Sequence, residues 1–286
     1  MKDHLEIIKK LPLWNKRKIY IKKLNGGITN FNYLVRDREK KYVARFALED
    51  NALLGLNRKR EIYNTKIAFA SGLGPKVMGF YPKYNLLVVE YIVGDIFSKK
   101  TITNNTQIKL IVKSLKILHG GKRLQGKFDP FETIRKYIFL ARRNKSWLPG
   151  DIDELLAKLF DIEKSIGSLY KNYPCHLDLT PLNIISSNKK IKFIDWEYSA
   201  SSDFRFDLAM LSVMGHFSRK HDELLIKEYG IKDKDFYKQI QLMKAVVCFR
   251  EASWGLLQSS ISPIKFNYKK YAEKKLSAFD LLYKLI

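Results

Sequence analysis

Two short stretches hold the residues able to do chemistry: His176-Leu177-Asp178-Leu179-Thr180-Pro181-Leu182-Asn183 and Phe193-Ile194-Asp195-Trp196-Glu197-Tyr198. Asp178 and Asn183 stand five positions apart across a loop containing Pro181. Asp195 follows an apolar run, Ile191 to Ile194, that reads as a short buried strand. This set suits phosphoryl transfer. In that chemistry a first Asp accepts the proton of the attacking hydroxyl, while an Asn and a later Asp hold the magnesium ions that bridge nucleotide phosphates. Hard oxygen ligands fit magnesium, which keeps several waters and takes only one or two protein carboxylates. The competing reading is a set of surface turn residues, since Asp, Asn and Pro favour turns. A match over both segments, with a strand between them, favours the chemistry.

These residues must be positioned by the elements around them. Residues 19–46 read as strands: Ile19-Tyr20-Ile21, a turn at Asn25-Gly26-Gly27, then alternating Phe31 to Val35 and Lys41 to Phe46. The segment from Arg58 to Ser71 has helical spacing and stops at Gly72. Lys76–Tyr81 and Leu86–Tyr91 give a second strand pair, and Gly94 marks a change of direction. Beyond it helices are predicted over 104–119, 129–145, 151–168, 203–218, 221–229, 234–259 and 265–286, with the chemical loop inserted near 173–198. The architecture implied is α+β and two-lobed, a small β-rich lobe over 1–91 and a larger, mainly helical lobe over 92–286. The chemistry would lie in the cleft between them.

Composition sets the outer bounds. The chain has 286 residues, 46% of them hydrophobic and 13% aromatic, enough for a sizeable core and unlike a disordered chain. No apolar run reaches the roughly 18–20 residues of a membrane-spanning helix. The first residues lack a secretory apolar segment. Cys175 and Cys248 form no C-x-x-C pair, so a reduced, cytoplasmic setting is expected. The net charge of +24 attracts anions, but the lysines are spread along the chain in pairs such as Lys40-Lys41 and Lys189-Lys190. With no zinc-finger spacing and no RNA-recognition motif, no stable nucleic-acid partner is expected.

In this order the pieces resemble the choline/ethanolamine kinase branch of the aminoglycoside-phosphotransferase-like kinases, with bacterial choline kinases most similar. The resemblance covers about Leu24 to Ser259. It rests on Gly26-Gly27-Ile28-Thr29-Asn30-Phe31-Asn32-Tyr33, Asn57-Arg58 with Glu61, His176 to Asn183, Ile194 to Ser199, Phe206-Asp207-Leu208-Ala209 and Trp254-Gly255-Leu256. It implies a protein-kinase-like fold, ATP as phosphoryl donor and Mg2+ as cofactor. Asp178 would be the catalytic base, and Asn183 and Asp195 the metal ligands, joined by Glu197 directly or through water. His176 would support the loop from inside, and Asp207 would receive its backbone N–H groups. Arg45 would grip phosphate, as a planar guanidinium can, with Glu61 as its partner. Gly26, Gly27, Thr29 and Asn30 would bring backbone close to the phosphates. Glu90 to Ile92 would face the adenine.

The resemblance also implies an acceptor pocket with aromatic faces, because choline carries a fixed positive charge with no N–H to donate. Trp254 stands where the family places a pocket tryptophan, and Trp196 and Tyr198 flank Asp195, though strand alternation cannot put them all in one pocket. Two departures stand out. Leu257 occupies the place of a second tryptophan, and Met210-Leu211-Ser212-Val213-Met214 offers no acidic residue for the cation. The expected function is therefore an ATP- and magnesium-dependent kinase of a small amino alcohol, choline first, with thiamine, ethanolamine or an aminoglycoside as alternative acceptors. The rival from another class is a catalytically silent basic protein that binds nucleic acid or anionic membrane. The sequence leaves the oligomeric state open.

Overall fold

The computed structural model describes residues 4–15, 17–24, 30–48 and 53–285. In chain order the elements are α1 (His4–Lys9), β1 (Tyr20–Leu24), β2 (Asn30–Asp37), β3 (Lys40–Ala47), α2 (Arg58–Ala70), β4 (Val77–Tyr81), β5 (Leu86–Glu90), β6 (Asp95–Ile96) and α3 (Lys99–Ile102). There follow α4 (Asn105–His119), α5 (Pro130–Arg143), α6 (Ile152–Ile166), β7 (Tyr173–Cys175), β8 (Ile184–Ser187), β9 (Lys190–Phe193) and β10 (Ala200–Ser202). The chain then runs through α7 (Phe204–Gly215), α8 (Arg219–Tyr229), α9 (Phe236–Ile261) and α10 (Tyr268–Lys284). The expected mixed α+β architecture is present, with the seven predicted C-terminal helices shifted at their ends by no more than three residues.

Five antiparallel strands form one sheet in the order β1-β2-β3-β5-β4. Period-2 alternation sends Tyr42, Ala44 and Phe46 to one face, where they pack with Ile8, Leu11, Trp14, Val35 and Leu86. The Trp14 indole N–H is donated to the Ile8 carbonyl at 2.7 Å, which fixes the N-terminal segment over that face. The same alternation puts Arg45 on the opposite face, toward the rest of the molecule. Side-chain caps begin the helices that follow: Asn57 accepts from the Arg60 N–H, and Asp129 accepts from Phe131 and Glu132 with Pro130 just behind it.

The helical lobe is built around α9. Every residue from Leu242 to Gln258 is buried, as expected of a helix enclosed on all sides, and α5, α6, α7, α8 and α10 pack on it. Gly94 joins the two parts because its backbone presses on the Ser186 carbonyl, leaving no room for a Cβ. The Phe193 N–H is donated to Leu73 O at 2.7 Å, tying β9 to the segment after α2. Among the described residues, no helix is long and apolar enough to cross a membrane.

Candidate active site

Asp207 holds the loop from below. On the buried first turn of α7 it accepts the His176 N–H (2.8 Å) and the Leu177 N–H (2.7 Å), and it also accepts from His119 Nε2 (3.1 Å). Leu177 needs that grip, because its φ of +67° lies in the left-handed region that a branched side chain avoids. His176 donates through Nε2 to Ile194 O (3.0 Å) and accepts the Asp178 N–H at Nδ1 (3.3 Å). Burial lowers its pKa and keeps the ring neutral, which suits both bonds. His119, Cys175 and Asp207 gather within 4.8 Å, yet both Asp207 oxygens are occupied by N–H donors, so the group acts as a clamp.

Above this clamp the sequence-predicted residues converge. Asn183 donates its amide to Asp178 Oδ2 (2.8 Å) and to the Asp178 carbonyl (2.9 Å). The Asn183 carbonyl accepts the Ile194 N–H (2.9 Å), which brings the loop against the strand end that carries Asp195. Asp195 also has a left-handed backbone, φ +67°. Burial, followed by the nearby Glu251, pushes the Asp178 carboxyl well above the usual carboxylate range, with Arg250 opposing. A carboxyl so raised is a stronger proton acceptor. The donor set suits magnesium: with the Asn183 N–H groups on Asp178, its amide oxygen is the end left for a hard cation, and Asp195 and Glu197 could add carboxylates.

Between β3, α2 and the Asp195 segment lies a dense ion cluster. Arg45 pairs with Glu61 and with Asp195, and lies 3.9 Å from Glu197. Arg58, one turn before Glu61 on α2, pairs with Glu61 and lies 4.0 Å from Glu197. Burial pulls the Arg58 guanidinium down to about 10, with the neighbouring Arg45 charge acting in the same direction. Glu197 accepts from the Asn30 amide (3.0 Å); burial and then Asp195 raise its carboxyl pKa. Glu90 ends β5 and donates its N–H to Lys76 O (2.8 Å), with Ile92 two residues beyond. Gly26, Gly27 and Thr29 lie outside the described residues.

The face expected to take the acceptor departs from expectation. Trp196 is not on it: the indole is buried, donates to Phe193 O (3.0 Å) and packs edge-on against His176. It supports the loop, a correction to its expected place beside the acceptor. Tyr198 lies under the Arg250 guanidinium, 4.5 Å from ring to Arg250 Cζ. Trp254 packs edge to face on Tyr268 and Tyr271, each 5.8 Å away. One turn earlier on α9, Glu251 accepts from Arg250 and from the Tyr271 hydroxyl. Burial works against the charge on Glu251, but Arg250, Lys275 and that hydroxyl together hold its carboxyl below the ordinary range. Glu251 is a buried carboxylate on the α9 turn before Trp254, whereas the Met210–Met214 stretch has none. Its three-residue spacing from Trp254 puts both on one side of α9, but the spacing alone does not say that this side faces the site.

Comparison with known proteins gives the chain's family and agrees with its fold. The sequence model of the choline/ethanolamine kinase family matches residues 21–220. Protein LicA of Haemophilus influenzae is 27% identical over 270 residues, covering 91% of this chain and 79% of that protein. A probable ethanolamine kinase A of Dictyostelium discoideum is 29% identical over 302 residues, covering 91% and 84%. The crystal structure of choline kinase LicA from Streptococcus pneumoniae superposes with a TM-score of 0.86 at 26% identity, covering 98% of this chain and 99% of that one.

Proposed function

The chain belongs to the choline/ethanolamine kinase family of phosphotransferases that act on an alcohol, and from that premise we propose that it moves the γ-phosphoryl group of ATP to the hydroxyl of choline. The observation that carries this reading is the joining of Asp178, Asn183 and the Asp195 strand end by bonds of 2.8–2.9 Å above the Asp207 clamp. Asp178 takes the hydroxyl proton as the new oxygen–phosphorus bond forms. The bond from the γ-phosphorus to the β-bridging oxygen breaks, and ADP carries that electron pair away. The base contributes about 10²–10⁴-fold to the rate.

Residues 1–91 form the nucleotide lobe in this reading. Arg45 exchanges Asp195 for phosphate oxygens and keeps Glu61 as its anchor. The Glu90 carbonyl and the Ile92 N–H meet the adenine edge, and Asn30, which donates to Glu197, lies on the phosphate side. Asn183 and Asp195 hold magnesium, with Glu197 joining directly or through water; when bound, that ion neutralises the phosphate oxygens.

For the acceptor, the rings of Trp254 and Tyr271 support a choline headgroup, since a desolvated cation over an aromatic face gains about 0.5–2 kcal/mol. Ethanolamine is the second reading, favoured by the Dictyostelium relative. An ATP-consumption screen over choline, ethanolamine, thiamine and aminoglycosides tests the proposal. Choline turnover that requires magnesium is expected; turnover of thiamine or an aminoglycoside alone would overturn it.

A further inference from the structure

Helix α2 carries Glu61, yet it lacks the apolar stripe by which a helix normally seats itself on a core. Its buried side chains are Glu61, Asn64, Thr65 and Ala68, three of them polar. Thr65 donates its hydroxyl to the Glu61 carbonyl of the same helix (2.7 Å). Asn64 instead reaches outward. Fully buried, it donates its amide to Ser199 O (2.9 Å) and Gln125 O (3.1 Å), lies 3.2 Å from the Ser199 hydroxyl oxygen, and accepts the Gln125 N–H (2.9 Å). The two segments it joins are bonded to each other, Ser201 N–H to Gly126 O at 3.1 Å. Ser199 in turn donates its hydroxyl to Trp196 O (2.6 Å), so the connection runs into the turn that follows Asp195. A second tie lies past the helix end, where a Cβ on Gly74 would meet Ala68 at 2.8 Å and the Trp196 indole at 3.2 Å.

We propose that Asn64 is a positioning residue for phosphoryl transfer: it locks α2 to the Asp195–Ser199 segment before nucleotide arrives, and so fixes where Glu61 holds Arg45. The proposal rests on the reading of Arg45 and Glu61 as the pair that meets phosphate, and deepens it. Asn64 and Glu61 stand three residues apart, on one side of α2, so any rotation or slide of the helix displaces both. Arg45 comes from β3, whereas Glu61 is referred through Asn64 to the chain that carries Asp195. An ion pair between two flexible side chains cannot by itself set the helix position. A planar amide can, because its donors and acceptor must meet partners in fixed directions. Any other seating of α2 leaves the buried amide, or the Ser199 and Gln125 backbone groups, without partners, and that opposes drift.

The test is titration calorimetry of ATP with magnesium on the full chain, for the wild type, Asn64→Ala, Glu61→Gln and the double variant. Asn64→Ala is expected to raise the Kd about tenfold at unchanged stoichiometry. In the Glu61→Gln background the same change should add less than about twofold, because the residue it positions is already gone. Single effects that simply multiply in the double variant overturn the proposal. So does a lower stoichiometry at unchanged Kd, the mark of a purely structural role. A Kd that Glu61→Gln leaves unmoved overturns the phosphate reading, and the proposal with it. A Kd raised by Glu61→Gln but not by Asn64→Ala overturns the proposal alone. Hydrogen exchange of the wild type requires no variant to fold: α2 amides should exchange at the same rate with and without ATP and magnesium. Protection of α2 that appears only with nucleotide would contradict a helix locked beforehand.

Discussion

At the end of the cleft proposed to take phosphate, Arg45 and Arg58 share Glu61 and both lie near Glu197, and Arg45 alone pairs with Asp195, so each cation faces carboxylates directly. At the acceptor end, Arg250 has one carboxylate partner and keeps two buried nitrogens unpartnered, while aromatic rings fill the remaining wall. The first region holds charge by pairing it and must exchange partners when phosphate arrives. The second, in the proposed reading, holds a headgroup by shape and ring faces. Buried ion pairs add little net stability, but removing one member leaves the others uncompensated. Substitutions at the phosphate end should therefore disturb fold and nucleotide binding together. Those at the acceptor end should change which alcohol reacts.

The largest expected effect separates catalysis from stability. Asp178→Asn should lower kcat by about 10²–10⁴-fold while retaining nucleotide binding. It should also raise the melting temperature. The folded-state pKa of Asp178 lies above its unfolded value, so its favourable contribution is complete only below the unfolded pKa and is lost as pH rises through the folded one. Above the unfolded pKa the shift therefore opposes folding, and a neutral amide relieves it. In the wild type, kcat/KM should fall as pH drops through that raised pKa, on an acid limb above the ordinary carboxylate range. Thermal scans and a pH–rate profile check both signs.

Asp207→Ala should come next, because it orphans the His176 and Leu177 N–H groups and His119 in one step. A loss of about 3 kcal/mol or more is expected from chemical denaturation. A smaller effect follows for Arg45→Lys, which keeps charge but loses the planar fork; kcat/KM for ATP should drop about tenfold, with the acceptor KM unchanged. A matching drop in acceptor binding would erase the distinction between the two ends. The smallest effect is reserved for Trp196→Phe, which loses the bond to Phe193 O and should cost about 1 kcal/mol of stability. A change in acceptor preference in that variant would return Trp196 to the pocket.

Much of this was legible in the chain. The strand and helix periods placed β2, β3 and the long helices, and those elements bring Arg45 onto Glu61 without further information. Asp207 was readable as the acceptor for the loop N–H groups. Trp196 was not, because strand alternation was carried past Phe193, where β9 ends, into Asp195, whose left-handed backbone turns the chain. Arg250 and Glu251 were hidden for another reason. On a helix buried on every side, the apolar pattern carries no phase, so no face could be assigned to the pocket. Only the packing of α10, which brings Tyr271 onto Glu251, makes that face visible.

The central claim is that Asp178 activates an amino-alcohol hydroxyl toward ATP. Phosphorus NMR of the chain with ATP, magnesium and choline, run in parallel with Asp178→Asn, tests it directly. The account predicts phosphocholine and ADP appearing together in the wild type, with product formation in the variant slowed by at least about 100-fold. Phosphocholine formed equally fast by the variant, or no phosphorylated alcohol from the wild type, would contradict it.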